Sequence, residues 1–555
     1  MKRASVAIDE SSHQRALAVA SLEDLGDDFA ELAWIAGCMS SRLERALEEV
    51  QDAGSHFRAS TLQSVVDGIR HFRRRFGMLR DSALTLRDLA TTIHPSIAAV
   101  HRFTEERGEL AEVIRVLVSS AAAAITCADW QSPSFGYSVF AQAGRFAGRI
   151  TEHHDDYRRD RHADAATFEE AYLREYVDRP AGMDLRALMT SCGMSAFATV
   201  LAYLTMDGST PERVLAGRSL YHESLELVRR SALGDGVVEV DEDDTDGLLR
   251  AIDAIRPRVV FLDAFCNERA MAMPDLAQVI GHLAGTSGGE PTTLVVDTTG
   301  LSCAVHPFAM LPAGARGVRI VQVESLTKYP QFGLDRTPAG MIVAPHPDAE
   351  RLDAYREHLG TNVPDGAPYL VPGPNRAALW QRLARIGRNA LELARALGER
   401  SDRSARTVLG ARHPALPDHP AWRRARLLDF AGGYFSVVFA RADDHLDVHQ
   451  RFVRTVLAVA GEHRVPIVAG ASFGFDVTRV YLTASNPEHG APFVRIAAGT
   501  EHRLGLERLK AVLCEAADRL SCRMGGQLER RDRGPGRPQD GPSPETRTAK
   551  TAKEE

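Results

Sequence analysis

The chain has 555 residues, of which 44% are apolar and 25% charged, with a net charge of −7. That length suits roughly two to four domains with large cores, and the near-balanced charge argues against nucleic acid or another polyanion as a partner. Seven scattered cysteines (Cys38, Cys127, Cys192, Cys266, Cys303, Cys514 and Cys522) form no C-x-x-C pair and no metal spacing, so they read as reduced thiols and no metal is expected.

The first residues, MKRASVAIDESSHQ, lack the apolar core of a signal peptide. The run 116–127 is too short to span a bilayer. A cytoplasmic protein without membrane contact is therefore expected. Residues 1–130 read as a helical extension, packed on the main body or on a partner subunit. In it, Ser21-Leu22-Glu23-Asp24 resembles a helix start, and Leu43, Leu47 and Val50 recur along one helical face. No catalytic constellation falls there. Residues 131–183 read as an arm or linker: an aromatic, Gly-containing stretch is followed by a very polar run predicted to be a solvated segment. His153, His154 and His162 lie in that run without a zinc spacing.

From 184 to 345 helices and strands alternate. Residues 185–206 read as an apolar helix interrupted at Thr190-Ser191-Cys192-Gly193-Met194-Ser195. Hydroxyls and a glycine at a helix start suit either a plain cap or an anion held on free backbone N–H groups. Short apolar strands follow at 237–240, at 259–262 before Asp263, and at 294–296 before Asp297, with helices at 246–255 and 273–283 between them. Near-continuous Val, Ile and Leu strands separated by helices imply an α/β fold with a mostly parallel sheet covered on both faces. Ligands of such sheets sit at the carboxyl ends of the strands. A further strand at 320–323 turns through Ser325 and Thr327 into Lys328. A lysine there is either a surface residue after a strand or an amine that forms a Schiff base with a carbonyl cofactor, its neighbouring hydroxyls binding a phosphate.

Residues 346–525 read as an α+β domain. It has a long helix at 375–397, strands at 434–439, 465–468, 478–482 and 493–497, a helix at 446–462 and a closing helix at 506–522. Residues 526–555 are polar and rich in Pro and Gly, and disorder is expected.

Taken in order, the hydroxyl-Gly-Met at a helix start, Tyr221, the strand-end Asp297, the Ser325-x-Thr327-Lys328 turn and the late Arg495-Ile-x-x-Gly-x-Glu resemble the Cys/Met-metabolism family of pyridoxal 5'-phosphate (PLP) enzymes. Cystathionine γ-synthase, cystathionine γ-lyase and methionine γ-lyase belong to it. The resemblance covers about residues 150–520, and Ser472-Phe473-Gly474-Phe475 is similar to a stretch of the fungal-type cystathionine γ-synthases.

The resemblance implies the aspartate-aminotransferase fold (fold type I) and a role for each matching residue. Lys328 would carry PLP as a Schiff base and move protons at Cα and Cβ. Asp297, 31 residues earlier and on the next strand but one, would face the pyridine nitrogen. Cys192, Gly193, Met194, Ser325 and Thr327 would hold the phosphate, and Tyr221 would stack on the ring and share in catalysis. Asn267 would lie near the 3-oxygen of the cofactor. Arg495, helped by Ser472, would grip the α-carboxylate of an L-amino acid. Tyr157 and Arg159 match a Tyr-x-Arg that reaches a neighbouring subunit's phosphate, which implies a homodimer or homotetramer with shared sites.

The substrate side departs from the family more than the cofactor side does. Gly333-Leu334-Asp335-Arg336 stands where Gly-His-Ser-Asp is usual, and Asp476 and its neighbours stand where a glutamate is usual. The implied activity is elimination or replacement at Cγ. The alternatives are a γ-lyase acting on a halogenated or unsaturated amino acid in secondary metabolism, a β-lyase, and a non-catalytic binding protein of the same fold.

Overall fold

A seven-stranded sheet runs through the middle of the chain. The computed structural model describes residues 2–52, 59–126, 162–208, 211–286, 290–399, 407–483 and 491–532. The strands are β1 (Leu185–Thr190), β2 (Val214–Gly217), β3 (Val237–Val240), β4 (Val259–Asp263), β5 (Thr292–Asp297), β6 (Val318–Ser325) and β7 (Gly340–Pro345). Their order is β1-β7-β6-β5-β4-β2-β3, and only β7 runs against its neighbours. Alternate residues of the central strands feed two cores. Val259, Phe261, Val295, Val321 and Val323 pack on one face. Val260, Leu262, Leu294, Val296 and Ile320 pack on the other. A strand buried on both faces must be apolar at every position, which is why these segments read as continuous runs.

Helices cover both faces. They are α4 (Ala163–Tyr176), α5 (Gly193–Met206), α6 (His222–Arg230), α7 (Thr245–Ile255), α8 (Leu276–Gly285) and α9 (His346–Leu359), preceded by three long N-terminal helices, α1 (Lys2–Asp52), α2 (Ala59–Thr92) and α3 (Ile97–Thr126). A second, five-stranded sheet has the order β10-β11-β12-β9-β8, from β8 (Val408–Arg412), β9 (Tyr434–Phe439), β10 (Val468–Ala469), β11 (Arg479–Thr483) and β12 (Phe493–Ala497). Against it lie α10 (Arg376–Gly398), α11 (Leu446–His463) and α12 (Arg503–Asp532). The mostly parallel sheet and the second α+β unit follow the architecture expected of fold type I, with the helical N-terminal region as the expected addition to it.

Several local expectations give way. Leu185–Thr190 is a strand rather than the start of a helix, because it pairs residue for residue with β7, from Leu185 opposite Pro345 to Thr190 opposite Gly340. Ser21 lies inside α1 rather than at its start: its hydroxyl donates to the Leu17 carbonyl (2.7 Å) and accepts from the Leu504 N–H (2.9 Å). The end of the polar run is not solvated. It folds as α4, with Tyr172 fully buried and His162 buried at its N-cap. The strand expected at 465–468 shrinks to Val468–Ala469, because the Val465 N–H is spent on closing α11 through the Ala460 carbonyl (2.9 Å). Helix α12 continues to Asp532, into the stretch expected to be disordered, on the good helix formers Gln527-Leu528-Glu529-Arg530. Residues 533–555 lie outside the described residues.

Among the described residues no helix is long and apolar enough to cross a membrane, no group of side chains suits a metal ion, and six cysteines are free thiols.

Candidate active site

Strands β4, β5 and β6 end together, and their ends build the site. Asp263 pairs with Asp297 in the β4–β5 register, and β6 is the direct neighbour of β5. Asp297 therefore lies one strand from the strand that leads to Lys328, not two. The carboxyl of Asp297 accepts from the Thr299 N–H (2.8 Å), and that of Asp263 from the Tyr221 N–H (2.8 Å). Burial pushes both carboxyls up. Asp263 rises well above the usual range with the Asp297 charge beside it, while the hydrogen bonds of Thr299 and the charge of Lys328 pull Asp297 back down.

After β6 the chain turns. Its Leu326 N–H donates to the Ala339 carbonyl (2.9 Å), and Lys328 enters a short 3-10 turn at Tyr329–Gln331. The Lys328 ammonium donates to Ser472 Oγ (2.7 Å) and lies 5.4 Å from the Phe473 ring centre. Burial, then the neighbouring Arg495 charge, lowers its pKa from 10.5 to about 8. The lowered pKa brings within reach the neutral amine that nucleophilic attack on a carbonyl and proton transfer both need.

Arg495 sits in the middle of β12 and is 3% exposed. It donates to Asn267 Oδ1 (2.7 Å) and to the Ser472 carbonyl (3.2 Å). Its Nε is buried without a partner. Tyr434, Phe473 and Tyr481 stand around it, with ring centres 5.6–5.9 Å from the guanidinium. Ser472 holds a left-handed backbone (φ +74°) that a non-glycine residue rarely adopts. Two residues on, Gly474 (φ +87°) crosses the lysine backbone so closely that an added Cβ would lie 2.8 Å from the Lys328 carbonyl carbon.

On the other side of Lys328 is the start of α5. A Cβ on Gly193 would come within 2.6 Å of Ser325 Cβ, so the helix N-terminus closes directly on the turn. The first N–H groups of a helix have no intrahelical acceptor and, with the helix dipole, favour an anion. Ser325 and Thr327 share a hydroxyl contact (2.7 Å), and Ser325 N–H donates to Thr299 Oγ1 (2.8 Å). Cys192 is the N-cap, its sulfur accepting from the Ser195 N–H (3.3 Å). Met194 turns its sulfur to the Ser224 hydroxyl at 3.7 Å. Tyr221, 37% exposed, caps α6 and lies near enough to Arg495 and Asp297 to feel both charges, while burial and Glu223 raise its pKa.

The structure thus brings Lys328, Asp297, Gly193, Ser325, Thr327, Tyr221, Asn267, Ser472 and Arg495 to one end of the sheet. Tyr157 and Arg159 lie outside the described residues. Sequence reading assigned no role to Thr299, Asp263 or Phe473. The Asp297-Thr298-Thr299-Gly300 run just past a strand was the available signal for Thr299. The donor set fits a phosphorylated carbonyl cofactor. It offers an amine, an anion cradle at a helix start, a buried carboxylate at the end of the strand beside β6, and a buried guanidinium with an unused N–H.

Comparison with known proteins agrees with this geometry. A family model described as Cys/Met metabolism PLP-dependent enzyme matches residues 130–460. The bifunctional enzyme flvA of Aspergillus flavus is 27% identical over 334 residues, 60% of this chain and 39% of that protein. The chain therefore spans well under half the length of this curated relative. Cystathionine γ-synthase of Xanthomonas oryzae pv. oryzae, solved with cystathionine, superposes with a TM-score of 0.54 at 20% identity, over 67% of this chain and 90% of that one. Cystathionine γ-lyase of Lactobacillus plantarum, solved with L-serine, gives 0.53 at 16% identity, over 67% and 91%. At such identities these two structures establish the shared fold.

Proposed function

Because the chain belongs to the Cys/Met-metabolism family of PLP-dependent enzymes, we propose that it catalyses elimination or replacement at Cγ of an L-amino acid. The observation that carries this reading is a convergence on one residue. Lys328 reaches the hydroxyl of Ser472 at 2.7 Å, and Arg495 reaches its carbonyl at 3.2 Å. One small amino acid spans that distance, with its α-amino group toward the lysine and its α-carboxylate on the guanidinium.

PLP, when bound, supplies an electron sink for charge that develops at Cα. Lys328 would hold it. Gly193, Met194, Ser325 and Thr327 would bind its phosphate, and Asp297 would keep a proton on its ring nitrogen. Asn267 would lie near its 3-oxygen, and Arg495, helped by Ser472, would orient the substrate by charge-assisted hydrogen bonds, which fixes Cα–H toward the lysine amine. With a pKa lowered to about 8, that amine would take the Cα proton, release it, and then take one from Cβ, whose bonding pair forms the Cβ–Cγ double bond as the Cγ substituent departs with its own pair. Tyr434, Phe473 and Tyr481 exclude water around the carboxylate. A homodimer or homotetramer belongs to the same proposal, and sedimentation equilibrium measures it.

The test is spectroscopic and chemical. The purified chain should absorb in the visible after addition of PLP, and should release 2-oxo acid and ammonia from homoserine esters. Addition of cysteine separates the two outcomes: a thioether amino acid marks replacement, and continued oxo-acid release marks elimination. A protein that gains no visible band would overturn the enzymatic reading and favour a binding module of the same fold.

A further inference from the structure

A stripe of charge, buried except at its half-exposed Asp27, joins the N-terminal helices to the site. Asp24, Asp27, Asp28 and Glu31 follow an i, i+3, i+4, i+7 pattern on α1 and so share one face. Arg382, Arg385 and Arg388, spaced by three on α10, meet them. Arg382 pairs with Glu31 (2.7 Å). Arg385 pairs with Asp27 (3.1 Å) and with Asp28. Arg388 takes both oxygens of Asp24 (3.0 and 2.9 Å). From α3, Arg107 pairs with Asp28 (3.4 Å).

The stripe does not end within the helices. Asp476 follows Phe475 in the loop that carries Ser472, and it accepts Arg382 (2.7 Å) from α10 and Arg107 (3.0 Å) from α3. Burial pushes this carboxyl up, but the charges of Arg107 and Arg382 hold it well below the usual range. Arg382 also donates to the Gly474 carbonyl (3.1 Å). Arg115 of α3 donates to the Gly333 carbonyl (3.1 Å), five residues past Lys328, and lies 3.8 Å from Asp476. Trp34 of α1 packs on Phe332 with ring centres 4.6 Å apart. Both loops that present reacting groups are therefore gripped from behind by the helical region. Ser472 keeps a left-handed backbone, which a non-glycine residue sustains only when its surroundings over-determine it.

We propose that Arg107 and Arg115 are positioning residues. Through Asp476 and the Gly333 carbonyl, helix α3 sets the Ser472 and Lys328 loops in the geometry that receives an amino-acid carboxylate. The helical region is then part of the active-site construction and not only a packing extension. The ligand in this inference rests on the function proposed above. The bracing itself does not.

The test uses the full chain loaded with PLP, comparing Arg115→Met, whose side chain is partly exposed, and Arg107→Met with the unaltered protein. Three quantities are measured: cofactor content, amide hydrogen exchange across residues 328–334 and 472–478, and the Kd of L-alanine, which has no leaving group, read from the cofactor's absorption. Cofactor content should not change. Exchange in both segments should quicken, and L-alanine should bind roughly tenfold more weakly, the scale of one charge-assisted contact. Arg107→Lys should recover part of the loss. Unchanged exchange in both segments overturns the bracing, and faster exchange with an unaltered Kd overturns the positioning role. If the unaltered protein binds no L-alanine, the proposed function fails, while the exchange comparison still decides the bracing. Should Arg107→Met not fold, Arg115→Met carries the same readouts.

Discussion

At the seam between α1 and α10, Asp24, Asp27, Asp28 and Glu31 each meet a guanidinium. At the carboxyl ends of β4 and β5, Asp263 and Asp297 are enclosed too but accept from the backbone N–H groups of Tyr221 and Thr299, and the cation whose charge reaches Asp297 is Lys328. Burying a charge is costly unless it is paired. The seam meets that cost within the protein. The strand ends leave it open. Buried carboxylates that meet a cation belong to construction here, and buried carboxylates that meet only backbone N–H groups belong to the site.

Substitutions on the two sides should separate these roles. The largest expected effect is that of Lys328→Ala, which removes the nucleophile and the proton carrier together. Turnover should fall by at least ~10³-fold, measured as oxo-acid release, while the denaturation midpoint stays level or rises because a buried amine has gone. A marked loss of stability would break the comparison.

Next is Arg382→Met, on the paired side. Arg382 is 1% exposed at its side chain and bonded to Glu31, Asp476 and the Gly474 carbonyl. Its removal leaves Glu31 without its cation and Asp476 with Arg107 and Arg115 alone, and should cost about 3 kcal/mol in urea unfolding. An unchanged midpoint would show the seam to be loose.

The smallest effect sharpens the middle case. Glu324 is buried with hydroxyl partners only, Ser302 (2.6 Å) and Tyr172. Burial raises its pKa from 4.5 to about 7, against the pull of those hydroxyls. A carboxyl whose folded pKa is raised keeps its proton in the folded state between these two values. Its contribution is therefore intact below pH 4.5 and is lost as pH rises to about 7, at up to ~1.4 kcal/mol per pH unit. Glu324→Gln should remove that part of the pH dependence, read as the difference between the two proteins' unfolding free energies at pH 5 and 7.5. Parallel pH profiles would show that Glu324 is ionised throughout.

Much of the catalytic half was legible because its signals are local. Strands β4 and β5 announce themselves as apolar runs closed by Asp263 and Asp297, and α10 starts at Asn375, whose side chain caps it. Strand β1 was misread because LRALMT has no helix-excluding residue, and its strand state comes from pairing with β7, about 150 residues away. The same holds for Asp476. Nothing next to it in the chain marks it, and its partners are at positions 107 and 382.

By itself the amino-acid sequence determined the helices and strands of the α/β core other than β1 and β2, the turn that exposes Lys328, and the family whose chemistry that turn serves. Periodicity, strand burial and short ordered motifs are properties of neighbouring residues. Only the tertiary structure decided that Lys328 and Arg495 share Ser472, that β5 and β6 are adjacent, and that helices α1 and α3 grip the loops of the site. Those facts depend on which distant side chains meet, and buried charge settles that through pairings no local pattern records.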